Sequence, residues 1–298
     1  MQPDLRERMA GVFVPISTPF SANEQLNEGV LRFNVERYAA SGLLGYLALG
    51  SNGENRSLTE EERRRVLECI IRRKGPKQVV MAGAAYDAQR DTERFLKAAA
   101  DLGADCGLVL SPGYFKKQMT EETLYRYFST LAGSAPLPLL LYNAPGFCGV
   151  TLSPALVGRL AAHPHIVGMK DSAPSGIENF LRFESESFHA LAGSANFLFP
   201  AMMGGSIGGT VSLANSFPEL PLDLFRCGQA RDERRGVPLQ ERVARINNTI
   251  AGPYGPPGVK AAMDLAGFKG GIPRRPLLPL NGAQVAELRE MLKTEGMI

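Results

Sequence analysis

The 298-residue chain has few of the features that mark secreted and membrane proteins. It contains four cysteines (Cys69, Cys106, Cys148 and Cys227) and no CxxC pair, a usage that fits reduced thiols better than a disulfide framework. No stretch approaches the roughly 18 apolar residues of a membrane-spanning helix, and the first residues lack the apolar stretch of a signal peptide. We therefore expect a cytoplasmic protein that is not inserted in a membrane.

An excess of charge of one sign is also missing. The chain has 33 lysines and arginines against 30 aspartates and glutamates, a net charge of +3. Its densest basic stretch, residues 63–74, lies on a predicted helix that also carries Glu60, Glu61, Glu62 and Glu68. Tracts that bind nucleic acid are usually more one-sided, so this stretch predicts a solvated helix face and no nucleic-acid partner.

What the chain does contain is a repeated unit. Eight short apolar runs are separated by helix-sized segments, and the runs are continuous rather than alternating, as expected of strands covered on both faces. Helix start signals lie between them: Thr59 to Glu62 fits a capping box, and Ser153 precedes a proline at a first helical position. The predicted strands are GVFVPIS (11–17), GYLALGS (45–51), QVVMAGA (78–84), CGLVLS (106–111), PLLLYN (138–143), IVGMK (166–170), HALAG (189–193) and IGGTVSLAN (207–215).

This repetition predicts the fold. A repeated strand–helix unit requires a parallel sheet with right-handed crossovers, and eight such units predict a closed (β/α)8 barrel, the TIM-barrel fold. We place the barrel at residues 1–228 and a C-terminal helical extension at 229–298, interrupted by the proline- and glycine-rich segment 252–258. The alternative is an open doubly wound sheet, which usually carries a glycine-rich phosphate turn after its first strand, where this chain has Ser-Thr-Pro-Phe at 17–20.

One lysine stands where barrel enzymes place their catalytic groups, at the carboxyl end of a strand. The sixth apolar run is followed directly by Lys170. An amine at the mouth of an apolar barrel loses hydration, which favours its neutral form, and a neutral amine attacks a ketone to give a Schiff base. The iminium then serves as an electron sink for an adjacent carbanion, the basis of metal-free aldol chemistry. The alternative is that Lys170 merely extends its amine into solvent.

Two further groups favour the catalytic interpretation. Tyr142 ends the neighbouring strand, so its phenol is placed to move protons on and off a Schiff-base intermediate, unless it is a core aromatic with a bonded hydroxyl. The GSNGE turn (50–54) offers small residues, N–H groups, a hydroxyl and an amide, which can hold a carboxylate without a metal, unless it is only a tight strand–helix turn. Glu54 is expected to hold this loop rather than to perform chemistry.

Three motifs together carry a family resemblance. GSNGE (50–54), YNAP (142–145) and IVGMKDS (166–172) resemble the dihydrodipicolinate synthase / N-acetylneuraminate lyase family of pyruvate-dependent class I aldolases. The resemblance covers nearly the whole chain, from VPISTPF (14–20) to GGIPRRPLLPL (270–280). It implies a (β/α)8 barrel with a C-terminal helical extension, usually a homotetramer built from tight dimers. It also implies a covalent imine with the substrate and neither a metal nor an organic cofactor.

The resemblance assigns roles to single residues. It makes Lys170 the Schiff-base lysine, Tyr142 the phenol that relays protons, and Ser51 the relay hydroxyl. Tyr114 corresponds to the tyrosine that a partner subunit inserts across the dimer interface, so a monomer would be incomplete. Asn52 takes the position at which the pyruvate carboxylate is held. The remaining predicted substrate-binding residues are Gly53, Ser172, Gly193 and Ser194.

Two departures from the family pattern narrow the substrate. Synthases that condense pyruvate with aspartate semialdehyde carry an arginine where this chain has Phe147, which cannot pair with a carboxylate. Sialic-acid lyases carry acidic residues after the seventh strand, where residues 193–197 have none. The chain is most similar to the 4-hydroxy-2-oxoglutarate aldolase branch and to neighbouring 2-keto-3-deoxy-sugar-acid aldolases. In that branch Ser172 is a candidate contact for the distal end of the substrate, or else a helix N-cap. The alternatives are dihydrodipicolinate synthase activity, a 2-keto-3-deoxy-acid dehydratase and a non-catalytic ligand-binding member of the family.

Histidine is scarce, which argues against a metal-dependent barrel enzyme. The chain has His163 and His165 before the sixth strand, at the wrong end of the barrel, and His189 at the start of the seventh. The glycine-rich stretch 204–209 precedes a strand rather than opening a helix, so a nucleotide site is not expected. Together with the resemblance, the lysine at the strand end predicts a lyase that acts on pyruvate or a related 2-oxo acid, together with an aldehyde, and that needs neither metal nor cofactor.

Overall fold

A closed barrel of eight parallel strands forms the centre of the molecule, as a computed structural model of residues 8–173 and 176–298 describes it. Each strand pairs with the next along the chain, and the last pairs back with the first. The predicted (β/α)8 barrel is confirmed. The strands are β1 (Val12–Pro15), β2 (Gly45–Ala48), β3 (Val79–Ala84), β4 (Cys106–Leu110), β5 (Leu139–Asn143), β6 (Ile166–Asp171), β7 (His189–Ala192) and β8 (Gly209–Thr210).

Helices surround the barrel and cover its outer face. Every residue of the eight strands is buried, which explains why the apolar runs are continuous instead of alternating. The helices are α1 (Glu28–Ala39), α2 (Glu60–Arg73), α3 (Gln89–Leu102), α4 (Glu121–Ser134), α5 (Pro145–Cys148), α6 (Pro154–Ala161), α7 (Glu178–Leu181), α8 (Leu198–Met203), α9 (Glu219–Gln229), α10 (Glu233–Ala251), α11 (Pro256–Leu265) and α12 (Gly282–Thr294).

The helix start signals in the sequence are confirmed. Thr59 accepts a hydrogen bond from the Glu62 N–H, and the Glu62 carboxylate accepts one from the Thr59 N–H, which is a complete capping box at the start of α2. Ser153 caps α6, and Pro154 is its first residue. These local signals fix where α2 and α6 begin, so that each helix returns the chain to the base of the next strand.

The eighth strand is shorter than the sequence predicts. The apolar run 207–215 forms a strand only at Gly209–Thr210, and Ser212–Asn215 is a 3-10 turn. The reason is a side chain that replaces the backbone ladder. The Asn215 amide donates to the Pro15 carbonyl at 3.0 Å, and its oxygen accepts from the Ser17 N–H at 3.0 Å. Since Asn215 joins this turn to the end of β1, the barrel closes there without further strand pairing.

The C-terminal part of the chain packs back on the barrel. Helix α10 ends at Ala251 and α11 begins at Pro256, so the proline- and glycine-rich segment 252–258 interrupts the helices as predicted, but its last three residues already form the start of α11. The boundary between barrel and extension at 228/229 stays a prediction. None of the helices in the described ranges is long and apolar enough to cross a membrane. Residues 1–7, included above in the prediction that a signal peptide is lacking, lie outside the described residues.

Candidate active site

Lys170 and Tyr142 face each other at the carboxyl end of the barrel. The register of β5 and β6 pairs Tyr142 with Lys170, and the amine lies 3.4 Å from the phenol oxygen and 4.5 Å from the ring centroid. Lys170 is 4% exposed and Tyr142 6%. The amine therefore does not extend into solvent, as the alternative interpretation required. Tyr142 is buried with a bonded hydroxyl, as in the alternative interpretation, but the group that its hydroxyl contacts is the Lys170 amine.

Hydroxyl groups complete the surroundings of the phenol. Burial alone would raise the pKa of Tyr142, but the charge of Lys170 and hydrogen bonds with Ser172, Ser51 and Lys170 outweigh it. The pKa of Tyr142 therefore lies below its ordinary value of 10. Lys170 and Ser172 on one segment, Tyr142 on a second and Ser51 on a third thus meet at one point. A phenol with a lowered pKa, bonded to an amine and two hydroxyls, can pass protons between them.

The turn that carries Ser51 has an unusual backbone. Leu49 and Glu54 bracket it with φ values of 59° and 50°, in the left-handed region that non-glycine residues seldom adopt. The Asn55 amide holds the Leu49 carbonyl at 2.8 Å. Gly83 on β3 makes room for this carbonyl, because a Cβ there would lie 2.5 Å from the Leu49 oxygen. These contacts fix the 3-10 turn Ser51–Gly53 and with it the direction of the Ser51 hydroxyl.

Asn52 and Gly53 follow in the same turn. The Asn52 amide donates to the Ser212 hydroxyl at 2.7 Å, which ties the turn to the segment after β8. Gly53 is buried, and a Cβ there would lie 3.2 Å from the Ile16 carbonyl, so the turn lies close to the end of β1. The side-chain nitrogen of Asn52 is thus engaged within the protein, while its oxygen and the turn's first N–H groups keep their capacity for a further partner.

The residues predicted after β6 and β7 are partly brought together. The Ser172 hydroxyl donates to the Gly193 carbonyl at 3.4 Å, and a Cβ on Gly193 would lie 2.1 Å from the Ser172 oxygen. Ser194 lies next to them, but its hydroxyl accepts the Asn196 N–H at 3.2 Å and caps a turn of its own. The alternative that Ser172 caps a helix is wrong, since α7 starts after Ile177.

A buried polar pair next to Lys170 and Tyr142 was missed by the sequence reasoning. The Asn143 amide donates to the Asp171 carboxylate at 2.7 Å, and the Asn143 oxygen accepts the Leu152 N–H at 3.0 Å. Burial is the main cause that raises the pKa of Asp171 from 3.8 to about 6. Side chains alternate along a strand, so Asn143 and Asp171, which directly follow Tyr142 and Lys170, must face the helix layer. Two neighbouring polar residues on a buried face were the signal from which this pair could have been predicted. The pair fixes β5 against β6.

Tyr114 does not join this cluster within its own chain. It follows β4 on a loop held by Asp87, whose carboxylate accepts the N–H groups of Gly113 at 2.8 Å and Tyr114 at 3.1 Å. The Tyr114 side chain is 79% exposed. Two further aromatic side chains, Phe115 at 65% and Phe147 at 63%, are exposed as well. Gly113 packs against the Cys148 backbone, so the Tyr114 loop lies beside the α5 helix that carries Phe147. We call these three residues the aromatic patch.

A cavity of about 270 Å³ opens beside the phenol. It borders Ser51 and Tyr142 rather than the amine, and Arg56 and Phe147 lie at its edge. Its apolar walls come mostly from the ends of β3 and β4, and Pro256 and Leu277 of the C-terminal part also line it. A cavity of this kind, with a few polar groups converging on one side, is the usual form of a small-molecule site.

The histidines lie elsewhere. His189 is fully buried in β7, and its Nδ1 lies 2.6 Å from a Glu184 carboxylate oxygen. Within residues 8–173 and 176–298, no three histidines, cysteines, aspartates or glutamates are grouped in a way that could hold a metal ion.

A protein-family model, that of the dihydrodipicolinate synthetase family, matches residues 8–295. The chain belongs to this family. Relatives named 4-hydroxy-tetrahydrodipicolinate synthase include the protein of Exiguobacterium sp. (strain ATCC BAA-1283 / AT1b), 30% identical over 280 residues that cover 93% of this chain and 95% of the relative. Another, from Methanosphaerula palustris (strain ATCC BAA-1556 / DSM 19958 / E1-9c), is 33% identical over 291 residues that cover 95% and 98%.

Solved structures of the dihydrodipicolinate synthetase family superpose closely on this chain. A family protein from E. coli K12 in complex with pyruvate shares 27% identity and a TM-score of 0.91, covering 97% of this chain and 99% of that one. The Acinetobacter baumannii dihydrodipicolinate synthase complexed with pyruvate shares 31% identity and a TM-score of 0.87, with the same coverage. A third, described as a monomeric dihydrodipicolinate synthase variant, has 26% identity, a TM-score of 0.91 and 98% coverage of both chains. As a member of this family, the protein is a pyruvate-dependent lyase of the class I aldolase type.

Proposed function

We propose that Lys170 forms an imine with pyruvate and that the enzyme makes or breaks a carbon–carbon bond next to it. The observation that carries this proposal is the contact between the Lys170 amine and the Tyr142 phenol, 3.4 Å apart and almost fully buried. An amine is the nucleophile that adds to a ketone to give an imine, and the phenol supplies the acid–base group that imine formation requires.

The steps use only groups of this site. The amine adds to the C2 carbonyl of pyruvate, and the carbinolamine loses water when a proton reaches its hydroxyl by way of Tyr142. The resulting iminium allows a proton to leave C3 for the Tyr142 oxygen. The enamine then attacks the aldehyde carbon, and the aldehyde oxygen takes that proton from Tyr142. In the cleavage direction these steps run backwards. Water then hydrolyses the imine and frees Lys170. The N–H groups of the turn Ser51–Gly53 and the side chain of its Asn52 hold the carboxylate of the 2-oxo acid beside the phenol.

We further propose that a second copy of the chain completes the site. The aromatic patch exposes Tyr114, Phe115 and Phe147 together. Large apolar groups that are exposed side by side usually mark a contact surface, which supports a subunit interface here. Tyr114 of the partner subunit would enter the cavity beside Ser51 and Tyr142 and connect the phenol to further proton acceptors. The tetramer of tight dimers implied by the resemblance and the cytoplasmic location expected from the cysteine usage also stay predictions.

Trapping the imine tests the central step. Sodium borohydride added with pyruvate is expected to reduce the imine, to add one pyruvate-derived group per chain and to place it on the peptide that contains Lys170. The peptide with Lys260, which is the other nearly fully buried lysine in the described ranges, serves as the internal control and should stay unlabelled. Labelling elsewhere, or a mass that does not change with pyruvate, would refute the proposal.

For the second substrate, we favour the cleavage of a 2-keto-3-deoxy-sugar acid or of 4-hydroxy-2-oxoglutarate. The residues at the cavity fit the sugar acid better, because its distal part is hydroxylated and uncharged, whereas 4-hydroxy-2-oxoglutarate carries a distal carboxylate. Phe147 lines the cavity, and it cannot pair with the carboxylate of aspartate semialdehyde as an arginine would. Ser172, whose hydroxyl contacts the phenol, offers a hydrogen bond to a hydroxylated distal group.

The second candidate is 4-hydroxy-tetrahydrodipicolinate synthase activity, the condensation of pyruvate with aspartate semialdehyde. The named relatives favour it, since seven of them carry this name at 30–33% identity. A positively charged side chain also borders the cavity, although Phe147 replaces the arginine of the synthases. Arg56 lines it, and its ion pair with Asp87 is long, 3.5 Å, with both side chains partly exposed. Arg56 could therefore turn to a carboxylate at little cost.

A substrate panel with two variants separates these candidates. We expect cleavage of 4-hydroxy-2-oxoglutarate or 2-keto-3-deoxygluconate to exceed both N-acetylneuraminate cleavage and condensation with aspartate semialdehyde. Phe147→Arg should raise kcat/KM of the condensation about tenfold, because it adds a charged hydrogen-bond donor at the cavity edge. If wild-type condensation is instead the fastest reaction and Arg56→Ala lowers it about tenfold, the second candidate is correct. Arg94→Ala, at an exposed ion pair on α3, is the matched control.

A further inference from the structure

A buried ion pair ties the C-terminal part of the chain to the catalytic turn. Lys260 on α11 and Glu54 at the end of the turn are each 2% exposed, and the Lys260 amine lies 2.5 Å from Glu54 Oε1. The distance between the two atoms is that of an ion pair, although the geometry at Glu54 Oε1 does not meet the angle of a hydrogen bond. The proposed mechanism uses neither residue, and two charges are expensive to bury unless they serve each other.

The pair is held on both sides by the same C-terminal segment. The Lys260 amine also donates to the Ile272 carbonyl at 2.9 Å and lies 4.6 Å from the centre of the Phe20 ring. The other Glu54 oxygen, Oε2, accepts the Arg274 N–H at 2.9 Å. Glu54 is thus the one carboxylate on which α11 and the strand-like segment near 272–274 converge, as far as the described residues go.

Arg274 extends this anchor to the start of α2. Its guanidinium donates to both oxygens of Glu62 at 2.7 and 2.8 Å, and to the carbonyls of Ser57 at 2.6 Å and Glu24 at 2.6 Å. These bonds hold the chain on the far side of the turn. The turn 50–54 is therefore fixed at its end by the C-terminal segment and not only by the barrel strands beside it.

The backbone at Glu54 explains why such fixing is needed. Its φ of 50° lies in the left-handed region, which non-glycine residues seldom adopt without support from their surroundings. In that conformation its N–H bonds the Ser51 carbonyl at 3.0 Å and closes the 3-10 turn. Because this bond joins Glu54 to Ser51, a shift of Glu54 is passed on to the residue whose hydroxyl bonds the Tyr142 phenol.

We infer that Lys260 is a positioning residue: through Glu54 it holds the Ser51 hydroxyl against the Tyr142 phenol, so that the C-terminal segment is a working part of the active site. This inference rests on the proposed function, because it assigns a purpose to the contact between Ser51 and Tyr142. A displacement of about 1 Å in such a group can cost on the order of a hundredfold in rate. Lys260 itself takes no part in imine chemistry, since its amine is enclosed by Glu54, Ile272 and Phe20.

The test compares Lys260→Met, Glu54→Gln and the double variant with wild-type enzyme. Lys260→Met leaves a buried carboxylate unpaired and should lower the melting temperature. The double variant removes both charges with similar shape, so its melting temperature should return close to the wild-type value while kcat stays at least about tenfold low. KM for the 2-oxo acid should change little. Arg275→Ala, which breaks the exposed pair with Glu24 in the same segment, is the matched control and should leave kcat unchanged.

A second measurement separates this inference from the proposed function. Amide hydrogen exchange of the peptide spanning 49–55 should be about tenfold faster in Lys260→Met and in the double variant, and unchanged in Arg275→Ala. Borohydride trapping at Lys170 should persist in every variant. Wild-type kcat with unchanged exchange in the folded double variant would overturn the inference. Absence of trapping in the wild-type enzyme would refute the proposed function instead, and the exchange result would still decide whether Lys260 orders the turn.

Discussion

Replacing Lys170 with alanine is expected to lower kcat/KM by at least about 10⁴-fold, because the variant has no amine with which to form the covalent intermediate. The side chain is 4% exposed and makes its recorded polar contact with Tyr142, so its loss should affect chemistry more than folding. Steady-state rates on the preferred substrate, together with the melting temperature, measure both effects. A folded Lys170→Ala enzyme that keeps one tenth of its activity would contradict the imine mechanism.

The same variant gives a matched test of the partner's tyrosine. Tyr114→Ala is expected to reduce kcat about a hundredfold, since it removes a relay hydroxyl. Co-expression of Lys170→Ala with Tyr114→Ala chains should then restore activity. Half of randomly formed dimers would pair the two chains, and each would hold one complete site, which gives about a quarter of wild-type activity. A mixture as inactive as its components, or a fully active Tyr114→Ala chain, would show that Tyr114 does not act across subunits.

Replacing Tyr142 with phenylalanine is expected to lower kcat by about 10² to 10⁴-fold, the range for a positioned acid–base group. The variant keeps the ring and loses only the hydroxyl that contacts Lys170, Ser51 and Ser172. Because the pKa of this phenol is lowered, the wild-type rate should show a pH-dependent step below pH 10 that the variant lacks. The kcat–pH profile measures this step, and borohydride trapping reports whether the slow formation of an imine persists.

A second buried tyrosine provides the control for this result. Tyr127 lies on α4, and its hydroxyl is 3.1 Å from the Thr92 hydroxyl, away from the cluster around Lys170. Tyr127→Phe should leave kcat within about twofold of wild type. If Tyr142→Phe behaves like Tyr127→Phe, with an unchanged pH profile, the phenol is not the proton relay.

The sequence predicted the barrel well because its signals are local. Continuous apolar runs, the capping box at Thr59 and the proline after Ser153 each depend on a few neighbouring residues. The eighth strand was overestimated because a contact with a distant segment decides it: Asn215 bonds the end of β1 about 200 residues earlier in the chain, and no local pattern reports that. A side-chain hydrogen bond to a distant segment can take the place of strand pairing, while the apolar run 207–215 still has the composition of a strand.

The candidate site divides in the same way. Lys170 and Tyr142 stand at strand ends, so strand order alone predicts that they are close, and their register confirms this placement. Lys260 could not be paired with Glu54 from the sequence, because it lies among apolar residues of a helix and its partner is on the opposite part of the chain. The available signal was a lysine among apolar helix residues, because a buried lysine is almost always paired with an acidic group.

The contact between Arg274 and Glu54 joins positions 220 residues apart, and it has a consequence for how the protein is made. During synthesis β2 and its turn leave the ribosome early, whereas Arg274 emerges 220 residues later. A nascent chain can therefore pair most of its strands before the turn is anchored, and under the inference above the site becomes competent only after Arg274 has emerged.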